Sequence, residues 1–294
     1  MPIYTPPLRD MQFVLHEVFQ VADEFKAMPR HAEVDEDTIN AVLEEAGKFA
    51  AEVTFPLNIS GDTEGCTLDR QTHEVATPKG FKEAYAQYVE GGWAALSCEP
   101  EFGGQGLPHV MNQCLYEMLN SANQAWTMYP GLSHGAYEAL LAHGTDAQKQ
   151  TYLPKLVSGE WTGTMCLTEP HCGTDLGLLR TKAEPVPGAA DGTYKITGNK
   201  IFISAGEHDV AANIIHLVLA RLPDAPSGSK GISLFVVPKY HINADGSLGG
   251  RNPIFCTGIE HKMGIHGNST AQVSIDGATG TLVGEPNKGL AAMF

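Results

Sequence analysis

Basic residues are scarce in this chain. Lysine and arginine number 19 against 34 aspartates and glutamates, which gives a formal net charge of −15 over 294 residues. A surface this acidic repels phosphate backbones, so nucleic-acid binding is not expected. Long apolar runs are missing too. No stretch reaches the roughly 18 residues of a membrane-spanning helix, and no span is expected. The start, Met1-Pro2-Ile3-Tyr4-Thr5-Pro6-Pro7, has no basic segment followed by an apolar one and does not read as a secretory signal. The six cysteines (Cys66, Cys98, Cys114, Cys166, Cys172, Cys256) form no C-x-x-C pair. That argues against a zinc ribbon, and their low density argues against a disulfide scaffold. Reduced thiols in a cytoplasmic protein are the expectation. There is no P-loop. Gly103-Gly104-Gln105-Gly106 is not a dinucleotide fingerprint, because the final glycine is absent and no β run leads into it. His261 and His266 have no carboxylate pair beside them, and no metal site is expected.

Apolar residues make up 43% of the chain, and its length suggests two domains at roughly 150 residues each. The first half carries helical periodicity. Met11 to Phe25 and Ile39 to Val53 place apolar residues three and four apart, with Pro56 expected to stop the second run. Further helices are expected over Phe81 to Val89, over His109 to Trp126, and around Tyr137-Leu140-Leu141. Thr145-Asp146-Ala147-Gln148 is a capping-box pattern that opens a sixth helix, ending near Gly159. The acidic run Glu33 to Asp37 reads as a solvated helix start.

The texture changes at Glu160. Eight β-rich runs follow: Trp161 to Thr168, Leu179 to Glu184, Tyr194 to Thr197, Lys200 to Ser204, Asn213 to Arg221, Ile232 to Val237, Ile254 to Met263 and Ala271 to Ile275. Gly198-Asn199 and Asp276-Gly277 read as turns, and 223–230 and 241–251 as loops. The expected fold class is α+β multidomain: a helical domain over 1–159, then a small β-barrel or sandwich over 160–285. Residues 286–294 resemble a helix just starting, and a continuation into a further helical domain is expected.

Chemistry concentrates at two strand ends. Met165-Cys166-Leu167-Thr168-Glu169-Pro170-His171-Cys172-Gly173-Thr174-Asp175 is an apolar strand running into a polar loop. Pro170 biases Glu169 away from helix, and Gly173 lets the backbone approach another body. Lys200-Ile201-Phe202-Ile203-Ser204 ends a second strand with an aromatic and a hydroxyl. An aromatic face can stack on a flat ring and a hydroxyl can bond its heteroatoms. The two ends together could line one flat slot. His171 beside Cys172 could be read as a nucleophile pair, but neighbours in sequence are expected to point apart.

These segments resemble the acyl-CoA dehydrogenase flavoproteins. Residues 165–175 resemble the loop that opens that family's middle domain. Residues 202–204 resemble its Trp-Ile-Thr segment, with Phe for Trp and Ser for Thr. Glu101-Phe102-Gly103-Gly104-Gln105-Gly106-Leu107, Lys262 to Thr270 and Gly284 to Gly289 resemble three further family segments, in the family's order. The loop at 171–177, the start at Tyr4-Thr5-Pro6-Pro7 and the segment 260–268 point to a longer-chain branch that includes the 3-methylmercaptopropionyl-CoA dehydrogenases.

The resemblance implies a helical domain, a middle β-domain and a C-terminal four-helix domain that is missing here, with FAD held between the last two. By residue it implies that Met165, Leu167 and Thr168 line the flavin, that Gly173 and Thr174 touch FAD phosphate or the CoA ester, and that Thr174 also serves the substrate. Phe202 and Ile203 would flank the ring, with the Ser204 hydroxyl near flavin N5. The implied activity converts an acyl-CoA to a 2-enoyl-CoA and passes electrons to an electron-transfer flavoprotein, in a homodimer or homotetramer. The family's usual base is a glutamate expected beyond Phe294. Glu169 belongs to the flavin-loop motif, so the chain alone is expected to be inactive. Two alternatives share the fold: an acyl-CoA oxidase or flavin monooxygenase, and a non-enzymatic stress relative that binds flavin and nucleic acid.

Overall fold

The computed structural model describes residues 3–189 and 192–294. Met1 and Pro2, the first residues of the stretch read for a leader, lie outside the described residues. The helical part comprises α1 (Leu8–Gln12), α2 (Val21–Lys26), α3 (Glu36–Phe49), α4 (Pro56–Glu64), α5 (Phe81–Glu90), α6 (His109–His143) and α7 (Asp146–Val157). A short α8 (Gly289–Met293) follows the sheet. Asp35 caps α3, its carboxylate accepting the Thr38 amide at 2.8 Å. The capping box opening α7 is formed in both directions: Thr145 accepts from the Gln148 amide at 3.2 Å, and Gln148 accepts from the Thr145 amide at 2.9 Å.

Three helical expectations are corrected. The single helix over Met11 to Phe25 is broken by a π-helical turn at Phe13–Val18 and by Gln20 in the left-handed region (φ 49). Pro56 starts a helix rather than stopping one. A π-helical turn over Ala50–Thr54 passes the chain on, and Pro56 sits in the first turn of α4, where its missing amide costs nothing. The helices expected at 109–126 and around 137–141 are two arms of one element that runs through Pro130 and bends at Asn123 (φ −157, ψ 87). Asn123 Oδ1 accepts the Trp126 amide at 3.1 Å and its Nδ2 donates to the Thr54 carbonyl at 3.0 Å. It is the N-cap of the second arm, and it ties the bend to the π turn.

The sheet part begins with a small ribbon, β1 (Thr67–Leu68) and β2 (Val75–Ala76). The main strands are β3 (Trp161–Cys166), β4 (Lys182–Pro185), β5 (Thr193–Ile203), β6 (Asn213–Ala220) and β7 (Ser233–Pro238), followed by β10 (Ile254–Ile259) and β11 (Ala271–Val283). They join in the order β3-β6-β7-β11-β5-β4, with β10 also on β11. Only the β3–β6 pair is parallel among the described pairs. The expected loop at 241–251 is instead a hairpin of β8 (Tyr240–Ile242) and β9 (Leu248–Arg251). The expected turns at Gly198-Asn199 and Asp276-Gly277 lie inside long strands. Gly198 pairs with Ile275, and Gly277 (φ 69) is the extra residue of a bulge between Asp276 and Ala278.

β6 is buried along its whole length and divides by period two. Ile215, Leu217 and Leu219 face a core shared with Leu140, Leu153 and Leu156 of the helices. Val218 and Ala220 face an inner core with Ile196, Phe235 and Ile275. A sheet covered on both sides must pack closely on its helices. At Gly163, a Cβ would lie 2.3 Å from the Ala136 Cβ of α6, so only glycine fits there.

Candidate functional site

The backbone joins the two strand ends. Beyond β3, the Thr168 carbonyl accepts the Ile201 amide of β5 at 2.9 Å. Buried Lys200 reinforces the junction, its Nζ donating to the Leu167 carbonyl and to Glu169 Oε1, both at 2.9 Å.

Glu169 is the anchor of the loop. Its carboxylate, 3% exposed, also accepts the Thr181 hydroxyl at 2.6 Å, the Thr181 amide at 3.0 Å and the Arg180 amide at 2.7 Å. Burial alone would raise this group. Lys200 and the converging donors outweigh it and hold the carboxyl below its ordinary range. A carboxylate so fully engaged is a structural support. Asp175 is engaged as well, accepting the Gly177 amide at 3.0 Å.

The loop closes on itself through reciprocal bonds between Glu169 and Cys172, at 2.8 and 3.0 Å. His171 and Cys172 do not point apart as expected: their ligand atoms lie within 4.8 Å of each other and of Glu169. Burial, then Glu169, pushes the Cys172 thiol up, so it is a thiol and not a nucleophilic thiolate. His171 Nε2 lies 3.0 Å from the Leu178 carbonyl.

The expected ligand-facing residues fall into two sets. Met165 and Phe202, 37% and 52% exposed, are large apolar side chains left uncovered at the joined ends. Leu167, Thr168 and Ser204 are half-buried, and Gly173 and Thr174 are exposed. Among the described residues, neither the Thr168 nor the Ser204 hydroxyl has an intrachain partner. Inside the chain a Cβ at Gly173 would meet only the Thr168 methyl, at 3.4 Å. Ile203 differs: the whole residue is 1% exposed and its side chain is in the inner core, so it supports the strand end from within.

Sequence reasoning missed what holds the second strand end. Phe202 (φ 57) and Ala205 (φ 52) both sit in the left-handed region, which costs a non-glycine residue about 1–2 kcal/mol. Asn268 holds this corner. Its Oδ1 accepts the Ala205 amide at 3.0 Å and its Nδ2 donates to the Ala125 carbonyl of α6 at 3.1 Å. Its neighbour Ser269 donates its hydroxyl to the Glu207 carbonyl at 2.5 Å. Glu207 is buried against Lys239 and Arg251. Two buried imidazoles lie beside this cluster: His208 Nε2 meets the Thr162 hydroxyl at 2.9 Å, and His216 Nδ1 meets the Thr164 hydroxyl at 2.7 Å. Burial pushes both histidines down to about 3, so they are neutral.

His261 and His266 stack with ring centroids 4.6 Å apart, and carboxylates do surround them, contrary to expectation. Asp62 lies 3.2 Å from His266 Nδ1, and Glu64 and Glu260 line the same 190 Å³ pocket. They come from α4 and from the end of β10, which sequence spacing does not show. A larger groove, about 740 Å³, is elsewhere, between α3, α5 and Trp93.

A helical layer packs on a sheet whose rim, where β3 and β5 end, exposes Met165 and Phe202 beside the half-buried Thr168 and Ser204. The profile of the acyl-CoA dehydrogenase N-terminal domain matches residues 36–160, and that of the middle domain matches 164–278. The chain belongs to the acyl-CoA dehydrogenase family and comprises its N-terminal and middle domains. It is 46% identical over 291 residues to the 3-methylmercaptopropionyl-CoA dehydrogenase of Ruegeria pomeroyi, covering 99% of this chain and 48% of that one. It is 37% identical over 300 residues to a butyryl-CoA dehydrogenase of Syntrophomonas wolfei, covering 99% and 49%. The acyl-CoA dehydrogenase of Bacillus anthracis complexed with FAD shares the fold, with a TM-score of 0.69 at 21% identity over 88% of this chain and 39% of that one. The chain spans about half the length of the curated relatives it matches.

Proposed function

We propose that this chain binds FAD and takes part in dehydrogenation of an acyl-CoA thioester to a 2-enoyl-CoA, with electrons passed on to an electron-transfer flavoprotein. The observation that carries the reading is the Thr168–Ile201 bond, which joins the strand ends that bear the exposed Met165 and Phe202 and the hydroxyls of Thr168 and Ser204. A flat, hydrogen-bonding ring needs such a ledge. FAD, when bound, supplies the hydride acceptor.

This chain's residues bind and orient. Met165, Leu167 and Phe202 flank the ring, Thr168 and Ser204 direct it through their hydroxyls, and Ile203 supports the strand end from the core. Gly173 leaves room for a phosphate or ester, and Thr174 offers a hydroxyl to it or to the substrate. The α-proton must go to a carboxylate. Glu169 and Asp175 are both engaged, so that base comes from outside the loop, and the resemblance puts it beyond Phe294. Assembly as a homodimer or homotetramer belongs to the same proposal. Cytoplasmic residence does too, supported by six cysteines that are all unpaired in the fold. No helix among the described residues is long and apolar enough to cross a membrane.

The test is anaerobic titration of the yellow, flavin-loaded full-length protein, including the segment expected to supply the base, with short, branched, aromatic and sulfur-containing acyl-CoAs. At least one should bleach the flavin's visible band. A flavoprotein that none of them bleaches refutes the dehydrogenase reading.

A further inference from the structure

The bend at Asn123 folds the arms of α6 back against each other, and this brings together side chains far apart in sequence. His109 opens the first arm, while His134 and Glu138 lie one turn apart on the second. His134 Nε2 is 3.4 Å and His109 Nε2 is 3.8 Å from the same oxygen, Glu138 Oε1, and all three ligand atoms lie within 4.8 Å of one another. These spacings are too long for hydrogen bonds, whose N···O distance is about 2.7–3.2 Å. They approach the edge of about 3.3 Å that separates two ligands each roughly 2.0–2.1 Å from a tetrahedral ion.

Glu138 Oε1 is turned inward, although the side chain is 40% exposed, and has no hydrogen-bond partner among the described residues. Its lone pairs are therefore available to a ligand. His134 packs against the rings of Tyr116 and Tyr137, with its Nε2 toward Glu138 Oε1.

We propose that His109, His134 and Glu138 form a binding site for a divalent transition-metal ion, Zn²⁺ by ligand type and spacing. The ion clamps the two arms of α6. Two imidazoles and a carboxylate suit zinc, and three protein donors leave one position for water. The site is separate from the flavin ledge and independent of the proposed reaction.

The test uses chelator-stripped protein titrated with Co²⁺. One equivalent per chain should give the visible bands of four-coordinate cobalt, which Zn²⁺ then removes. Zn²⁺ should also raise the melting temperature. His109→Ala alters an exposed side chain and Glu138→Gln is nearly isosteric, so both should keep the wild-type circular dichroism. Each should weaken cobalt binding by at least about tenfold. Absence of the bands in the wild type overturns the proposal. So do bands that persist unchanged in both variants, since the ion would then sit on other histidines.

Discussion

Replacing Lys200 with methionine isolates the contact that joins the two strand ends. Methionine nearly matches the lysine stem in volume, so packing changes little and the loss is electrostatic. The Leu167 carbonyl loses a donor and Glu169 loses its only ammonium. The intact pair need not be strongly favourable, because burial works against both charges. Removing one member is a different matter: it leaves a charge stranded in the interior, at about 3–5 kcal/mol. That is a large share of a typical domain's 5–15 kcal/mol. The pH dependence carries the sign. Glu169 has a depressed folded pKa, so its contribution is present above the unfolded value near 4.3 and is lost as pH falls through the folded one. In Lys200→Met the stranded carboxyl takes up a proton more readily. Urea midpoints should therefore differ most at pH 7 and converge toward pH 4. Adding Glu169→Gln to the variant should recover part of the loss. A variant within about 1 kcal/mol of wild type at pH 7, with an unchanged pH profile, refutes the role given to this pair.

Asn268→Ala should cost about 1–3 kcal/mol for each of the two backbone groups it strands, and should lower flavin occupancy by freeing the 202–205 corner; urea melts and the flavin-to-protein absorbance ratio measure both. Phe202→Ala should leave stability within about 0.5 kcal/mol, since the side chain is exposed, while weakening FAD binding by fluorescence titration. His208 and His216, neutral in the fold down to about pH 3, bind protons in the unfolded chain below about 6.5, so each should erode stability by about 1.4 kcal/mol per pH unit across that window. His216→Gln should reduce the measured slope by about 1.4 kcal/mol per pH unit in urea melts run from pH 6 to 4.

The sequence displayed what depends on neighbours along the chain. The capping box at Thr145 and Gln148, the β-rich runs and the two strand-end motifs are local patterns, and the structure forms them. What escaped depends on distant partners. Gly198 and Gly277 resemble turn residues, but the first packs under Thr181 and the second marks a bulge. Asn123 is an unremarkable polar residue until the Thr54 carbonyl appears opposite it. Lys200 and Glu169 lie 31 residues apart, and nothing in their spacing announces an ion pair. Asn268 matches a glycosylation sequon, yet it is a 3% exposed brace between sheet and helix.

One consequence follows from β11. This strand comes last in the sheet, and it hydrogen-bonds to each of β5, β7 and β10. Until residues 271–283 have left the ribosome, three earlier strands expose unsatisfied edges. The sheet therefore assembles late and through contacts distant along the chain, which favours slow folding and, during synthesis, strand-to-strand aggregation.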